Sequence, residues 1–429
     1  MADVDRTSQK PQVRPTGWVD RGVRLWRGGV PEDVRAYVNR WRRRWDEGQV
    51  LREIRGGPSG HTRGPLIVSG FFGDSKGISE AARLTAEGLE GAGFKLHRHD
   101  ISHLFQRPFG SDREEIFDRP GGVWLTHCNP PEAIALFARL GARRWSGRYR
   151  IGYWAYELPA IPDDWVRAAE LFDEIWAPSR FVLEAIRSAG VRTPLRWMPH
   201  PVGLRGFDRS PSLTGSPDNS ATTILVMGDL LSSGVRKNLL GAVEIYRRAF
   251  PDPTTSARLI IKCQSHEGAR SFMVELEKRI GVRPDIECVS SRMTRNEVVS
   301  LIGSSDILLS PHRSEGFGLS LAEAFMMGVA PLATGWSGNL EFMEGLDELL
   351  IDFAKIRVQD ETGVYPSGEL LWAEPDENDA VIKLRRLAAS PRLRGDLVRR
   401  GRNAVMALSD NWSPGALDKM SMRQWIDET

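Results

Sequence analysis

The stretch SPHRSEGFGLSLAEAFMMGVAPLATGWSGNLEF, residues 310–342, decides the reading of this chain. An apolar strand pattern at 307–309 leads into a glycine-containing loop, a helical segment, a second strand pattern at 329–333 and a second glycine-containing loop. That rhythm is the signature of a parallel α/β sheet, whose ligands meet the loops at strand C-termini. Gly316 and Gly318 let backbone amides approach an oxyanion at the helix start, where Phe317 and Leu319 also lie. Glu315 stands just before the helix and Glu323 within it. A carboxylate does not attract phosphate, so Glu315 fits hydrogen bonds from sugar hydroxyls beside a phosphate, and Glu323 fits a ribose or supports the loop from inside. Helix-start glutamates also occur for dipole reasons alone.

Upstream, VMGDLLSSGVRKNLLGAVEIYRRAF at 226–250 reads as strand, loop and helix, with Arg236 and Lys237 just before the helix at 238–250. Lysine there is a mobile point charge and arginine a bidentate fork, both suited to phosphates. Further strands fit 224–227, 259–261 and 286–289, with helices at 271–280 and 295–302. Lys262 and Ser290 end two of those strands and are candidates on the nucleotide side, with packing or solvated surface as the alternative. Ser337, Gly338 and Asn339 close the second glycine loop, whose amides suit a diphosphate or sugar, while Trp336 and Asn339 are placed to shape donor choice.

The same texture appears earlier, with strands at 66–72, 122–125, 150–154, 174–177 and 195–198. Helices fit 79–89, 131–140, 164–172 and 181–188, the last with Ser179 as a cap. GFFGDSKGISEAAR, 70–83, is not a GxGxxG motif, yet Gly73 and Gly77 permit a loop and tight helix entry. His127 follows a VWL strand and Glu157 lies in IGYWAYELPAIPDDW, 151–165, so each is a candidate for acceptor or sugar contact; His200 reads as structural near the domain crossing. Two separately cored α/β domains result, at 63–202 and 203–412, with a polar, turn-rich linker or loop at 203–222 between them. Their facing edges form the expected ligand cleft. The remainder, 413–429, reads as a terminal packing helix centred on 417–426.

The head, 1–62, carries a basic amphipathic helical pattern, with ten Arg against five acids between 21 and 55. It is read either as a stripe packed on the main body or as peripheral contact with an anionic membrane or an acceptor. Over all 429 residues, Lys+Arg 58 nearly balances Asp+Glu 56, which argues against a broad nucleic-acid surface. Neither a span nor a signal peptide is read, so the expected location is cytoplasmic, with the head able to bring the protein to the inner membrane face. The three cysteines give neither a disulfide framework nor zinc-site spacing, and no acidic metal cluster is read.

The 310–342 stretch resembles the signature of retaining glycosyltransferases with two Rossmann-like domains, the GT-B fold, in the large family 4 group. The resemblance rests on Glu315 and Glu323 with seven residues between them, the EGFGL core, Gly328 and the strand of Pro331 to Thr334, and it covers about 66–412. It implies that Glu315 contacts the hexose of a nucleoside-diphosphate sugar, that Phe317 and Gly318 approach sugar and diphosphate through backbone groups, and that Glu323 holds the ribose. Lys237 matches the family's diphosphate-binding lysine, and Arg236 is a weaker match; the arginine that many relatives carry after the strand-end glycine is here Asp229. Gly73 and Gly77 resemble the family's first glycine loop, and Asp306 matches a structural acid. The implied activity is metal-independent, cofactor-free transfer of a hexose, with retention, to a glycan, glycolipid or small glycoside. GDP-mannose is preferred over UDP-glucose because RKN and EGFGLSLAEA are similar to segments of bacterial mannosyltransferases. A glycoside phosphorylase and a catalytically silent carbohydrate-binding protein are the alternatives on this framework. Oligomeric state is not read.

Overall fold

The computed structural model describes residues 45–53, 60–73, 77–103, 115–204, 221–230, 233–264, 269–360, 364–365 and 368–427. The first domain is built on a parallel sheet of β1 (Leu66–Gly70), β2 (Leu96–Asp100), β3 (Val123–Thr126), β4 (Tyr149–Tyr153), β5 (Glu174–Ala177) and β6 (Leu195–Trp197), in the order β2-β1-β3-β4-β5-β6. The inner strands β1 (LIVSG) and β3 (VWLT) carry no charge because both of their faces are covered. Ile67, Trp124 and Ile175 enter one core, with Phe137, Trp154 and Trp165. Leu66, Val68, Val123, Leu125 and Trp176 enter the other, with Trp412 and Met422 from the chain's end. The edge strand β2 escaped the sequence reading because its LHRHD exposes His97 and Arg98; only His99 is buried, with Nδ1 2.7 Å from Ser69 Oγ.

The second domain repeats the plan with β7 (Thr222–Asp229), β8 (Ala257–Gln264), β9 (Ile286–Val289), β10 (Ile307–Ser310), β11 (Ala330–Thr334) and β12 (Leu350–Ile351), ordered β12-β11-β10-β7-β8-β9 and parallel throughout. Ile224, Val226, Leu259, Ile307, Leu309 and Leu332 share its core. Strand order reverses between β1 and β3 in one sheet and between β7 and β10 in the other, the positions where open α/β sheets bind ligands. The helices that matter below are α1 (Gly77–Gly91), α2 (Pro130–Leu140), α3 (Arg180–Ser188), α4 (Gly234–Lys237), α5 (Leu239–Ala249), α6 (Arg295–Gly303), α7 (Leu319–Met326), α8 (Glu377–Ala389) and α9 (Pro391–Leu408).

Four departures from the sequence reading have local causes. The expected helix at 238–250 starts one residue later, because Asn238 adopts the left-handed conformation with φ 53° and its side chain caps α5 by accepting from Gly241 N. Arg236 and Lys237 therefore end a separate helical turn, α4, whose cap is Ser233. An antiparallel hairpin, β13 (Phe353–Arg357) and β14 (Leu371–Pro375), was not anticipated, and neither were α8 and α9. The terminal helix expected at 417–426 is instead a turn at Pro414–Leu417 and a 3₁₀ turn at Ser421–Trp425, separated by Met420 in extended backbone.

Of the head, the described residues 45–53 are helical. Val50 is buried in the first domain's core and Glu47 pairs with Arg167 at 3.2 Å, so this end packs on the main body while Trp45 stays 54% exposed. The rest of the basic stretch from 21 lies outside the described residues, as does 205–220 of the expected linker. No helix among the described residues is long and apolar enough to cross a membrane.

Candidate functional site

The loop after β10 and the turn after β7 converge. Pro311 O accepts from Asn238 Nδ2 at 3.0 Å, Arg313 N donates to Arg236 O at 2.8 Å, and Arg236 Nη1 donates to Ser314 O at 2.7 Å. These bonds bring three charges together: Lys237 Nζ donates to Glu315 Oε1, and Arg236 Nη1 lies 3.4 Å from Glu315 Oε2. Burial alone would raise the Glu315 pKa, but Lys237 and then Arg236 outweigh it and hold the carboxyl at about 2. Arg236 is 2% exposed. Burial works against its charge, and the facing Tyr365, Glu157 and Glu315 outweigh that, so its pKa is raised.

The first domain closes this cluster from the opposite side. Glu157 Oε1 lies 3.7 Å from Arg236 Nη2, and the Glu157 carbonyl accepts from Ser314 Oγ. Ser179, which caps α3 by accepting from Val182 N, also donates to Gly316 O at 2.6 Å. Glu157, expected to contact acceptor or sugar, thus sits against Arg236.

The two glycine loops of the second domain lock onto each other. Glu315 N donates to Ser337 Oγ at 2.8 Å and Gly338 N donates to Glu315 O at 2.9 Å. A Cβ on Gly338 would overlap the Gly316 carbonyl, which explains a glycine there. Gly318, with φ 87°, is the left-handed residue that turns the chain into α7, and Leu319 opens the helix. The amides of Glu315 and Gly338 are thus engaged inside the protein. Asn339, expected to shape donor choice, is fully buried: its Nδ2 donates to Thr334 O at 3.0 Å and its Oδ1 lies 3.2 Å from His312 Nε2. Trp336 packs edge-on to Phe181 of the first domain and beneath the Lys355 ammonium at 4.6 Å. Phe317 wedges its ring between Phe342 and His200 of the first domain.

Glu323 is held by Arg295, whose Nη1 donates to Oε2 at 3.1 Å and whose Nη2 donates to Oε1. Lys262 is buried at the end of β8, where its Nζ donates to Ser291 O at 2.8 Å and burial lowers its pKa; Ser290, just past β9, is exposed. In the first domain, Gly77 begins α1 and Gly73 lies against the Asp100 carboxylate. His127 follows β3 and is buried, with both ring nitrogens lacking a hydrogen-bond partner and burial lowering its pKa to about 3. Its ring packs 4.3 Å from Tyr153, whose hydroxyl lies 2.9 Å from His200 Nδ1. Asp306 ties β7 to α9 by accepting from Thr223 N at 2.9 Å and from Arg394 at 3.1 Å. Among the described residues there is no group of three or more His, Cys, Asp or Glu able to hold a metal ion.

Sequence reasoning missed His312, Arg295, Tyr365 and Asp360. His312 lies inside the quoted stretch, three residues before Glu315, and was readable there. The others reach the site from elements whose position only the fold supplies.

Residues 221–357 match the family model described as glycosyl transferases group 1. Among solved structures, the chain is similar to sucrose-phosphate synthase from Thermosynechococcus elongatus at 15% identity and a TM-score of 0.56, covering 81% of this chain and 95% of that one. It is also similar to Anabaena HepE in complex with UDP and glucose, at 13% identity and a TM-score of 0.52, covering 83% and 97%. The fold is GT-B. The S. aureus TarM structure gives 9% identity and a TM-score of 0.49; the match covers 71% of this chain and only 54% of TarM. No curated protein sequence matches the chain. The cluster of Glu315, Lys237 and Arg236 lies on the second domain where it faces the first, and Glu157, Ser179 and His200 lie on the first domain's facing side.

Proposed function

We propose that this protein is a retaining glycosyltransferase that moves a hexose from a nucleoside-diphosphate sugar to a hydroxyl of a glycan, glycolipid or small glycoside. The observation that carries the reading is the convergence of Lys237 and Arg236 on Glu315, with Glu157 facing them from the other domain. Lys237 and Arg236 stabilise the leaving diphosphate as its charge develops, an effect that a dry site strengthens. Glu315, held ionised, accepts hydrogen bonds from the sugar and orients it. His127 and Glu157 serve the acceptor side, where a neutral imidazole donates to or accepts from a hydroxyl. Gly73 and Gly77 leave room for the phosphates at the first loop, Glu323 binds ribose, and Lys262 and Ser290 lie toward the base. No step draws on a metal or cofactor: the two cations supply the positive charge that the leaving group needs.

Retention is assigned to front-face attack, because Glu315 is engaged by two cations as an orienting group and is not left as a nucleophile. For the donor, GDP-mannose is the first choice and UDP-glucose the second; the HepE complex, which contains UDP and glucose, keeps the second in play. A bacterial surface polysaccharide, glycolipid or small glycoside is the acceptor class, and the basic stretch 21–55 of the head is the part proposed to bring the protein to a membrane. The test incubates the protein with labelled GDP-mannose, UDP-glucose and related donors, together with glycolipid and oligosaccharide extracts. Transfer of label is expected, and Lys237→Ala should lower it by about 100-fold or more. Folded protein that transfers from no donor to any extract overturns the reading, and release of sugar phosphate from a glucoside would mark a phosphorylase instead.

A further inference from the structure

Glu323 and Glu80 are carboxylates on opposite domains, 3% and 4% exposed, and a single guanidinium lies between them. Arg295, the first residue of α6, directs Nη1 and Nη2 at the two oxygens of Glu323, while its Nε lies 3.3 Å from Glu80 Oε1 on α1 of the first domain. The arrangement continues in the first domain, where Arg83 Nε donates to Glu80 Oε2 at 3.0 Å and Arg83 Nη1 donates to Phe72 O at 2.8 Å. Two buried acids and two arginines thus alternate along one line. It runs from the loop after β1 to the carboxylate at the centre of α7. Buried carboxylates need such partners, and a bidentate guanidinium fixes the plane of the carboxylate as well as its charge.

We propose that Arg295 is the positioning residue of the nucleotide site: it presents Glu323 to the ribose of a nucleoside diphosphate and, through Glu80, couples that carboxylate to the facing domain. The inference rests on the nucleotide-sugar reading above. The fork of Arg295 gives one bond to each oxygen of Glu323 and so fixes the plane that the carboxylate presents. Glu80 lies on α1 of the first domain, three residues past Gly77. An effect on nucleotide affinity that passes through Arg295 disappears in the Arg295→Met background, whereas one that passes through the first glycine loop persists there.

The experiment measures binding of UDP and GDP by calorimetry to the full chain, to Glu80→Gln, to Arg295→Met, to the double variant and to Arg295→Lys, with circular dichroism verifying that each is folded. Arg295→Met should weaken the bound nucleotide by about 10-fold and Glu80→Gln by about 5-fold. In the Arg295→Met background Glu80→Gln should add no further loss, the non-additivity expected of residues that act as one unit. Arg295→Lys, which keeps the charge without the fork, should recover only part of the affinity. Unchanged affinity in Glu80→Gln, or a loss that adds fully to that of Arg295→Met, overturns the coupling. Tighter binding in Glu80→Gln also overturns it, by showing a contact that competes with the nucleotide. A wild-type chain that binds neither UDP nor GDP, nor any other nucleoside diphosphate, points to failure of the nucleotide-sugar reading itself.

Discussion

A guanidinium buried to the degree of Arg236 is stable only while its acidic neighbours keep their charge. Glu315 supplies one of those charges and Glu157 another. Glu315→Leu should therefore destabilise the fold by about 3–5 kcal/mol, as removal of one member of a buried ionic group does, and denaturant titration will show it. Lys237→Met leaves Glu315 its contact with Arg236, so its stability loss should be much smaller while turnover falls steeply. Comparison of the two variants separates the charge that serves the fold from the charge that serves the leaving group. The sign of the pH dependence follows from the same residues. The folded Glu315 pKa of about 2 lies below its usual 4.5, so its stabilisation is present above 4.5 and disappears as pH falls toward 2. His127 behaves in the opposite sense from a paired histidine. Its folded pKa of about 3 lies below 6.5, so the unfolded chain takes up a proton that the folded chain refuses, and stability falls as pH drops from 6.5 toward 3. Replacing His127 with Gln should flatten that slope by up to about 1.4 kcal/mol per pH unit, read from unfolding free energies between pH 6.5 and 4.

Elements with one dominant period were readable from the sequence, and elements that depend on distant partners were not. The fully buried strands of both sheets announce themselves as apolar runs, and Ser179 as a cap follows from its place ahead of α3. The edge strand β2 and the hairpin β13–β14 have mixed faces whose pattern makes sense only against their neighbours. That hairpin leaves the second domain, yet Val358, Tyr365 and Trp372 are buried in a core of the first. Arg313 anchors it through two bonds to Glu374, at 2.6 and 2.8 Å. Asp360, in the connection between its two strands, accepts from Ser233 Oγ and from Tyr365 N, each at 3.0 Å, and so joins the cap of α4 to the ring facing Arg236. The candidate site was legible to the extent that Glu315, Arg236 and Lys237 lie on short local motifs. The groups that hold them, Asp360 and Tyr365, lie more than a hundred residues from α4 in the chain, and no spacing rule reaches that far. Asp360→Ala should cost about 1–3 kcal/mol, because a buried hydroxyl and an amide lose their acceptor. Turnover should fall further than that destabilisation explains, as the helical turn carrying Arg236 and Lys237 loosens; steady-state rates measured well below the variant's melting temperature check this. Equal turnover in that variant would assign the hairpin to stability alone.

At the scale of the molecule, the chain crosses between the domains more than once, and the last crossing ties them together. After α9 the chain leaves the second domain, and Trp412 buries its ring against Trp176, with Nε1 donating to Pro199 O at 2.6 Å. Leu417, Met420, Met422 and Ile426 then complete the face of the first sheet that contains Leu66 and Val68, and Gly64 pairs with Ile426. The reading of 413–429 as a helix missed this because Pro414 and the extended Met420 divide it into two turns. One core of the first domain is therefore incomplete without residues that come last in the sequence. The tail thus joins the end of the second domain to the first domain's sheet beside Pro199. Trp412→Ala removes a fully buried indole and should cost about 3–5 kcal/mol. The loss should appear as destabilisation of the first domain, since most of the ring's neighbours are there. A chain ending at residue 408 should be affected more, exposing Leu66 and Val68 while the second sheet stays covered by α5, α7 and α8. Hydrogen exchange on the full chain and the truncated one decides the matter: protection should fall in β1 and β3 and persist in β7 and β10. Equal loss in both sheets would show a single cooperative unit, in which the tail supports the whole cleft instead of one wall of it.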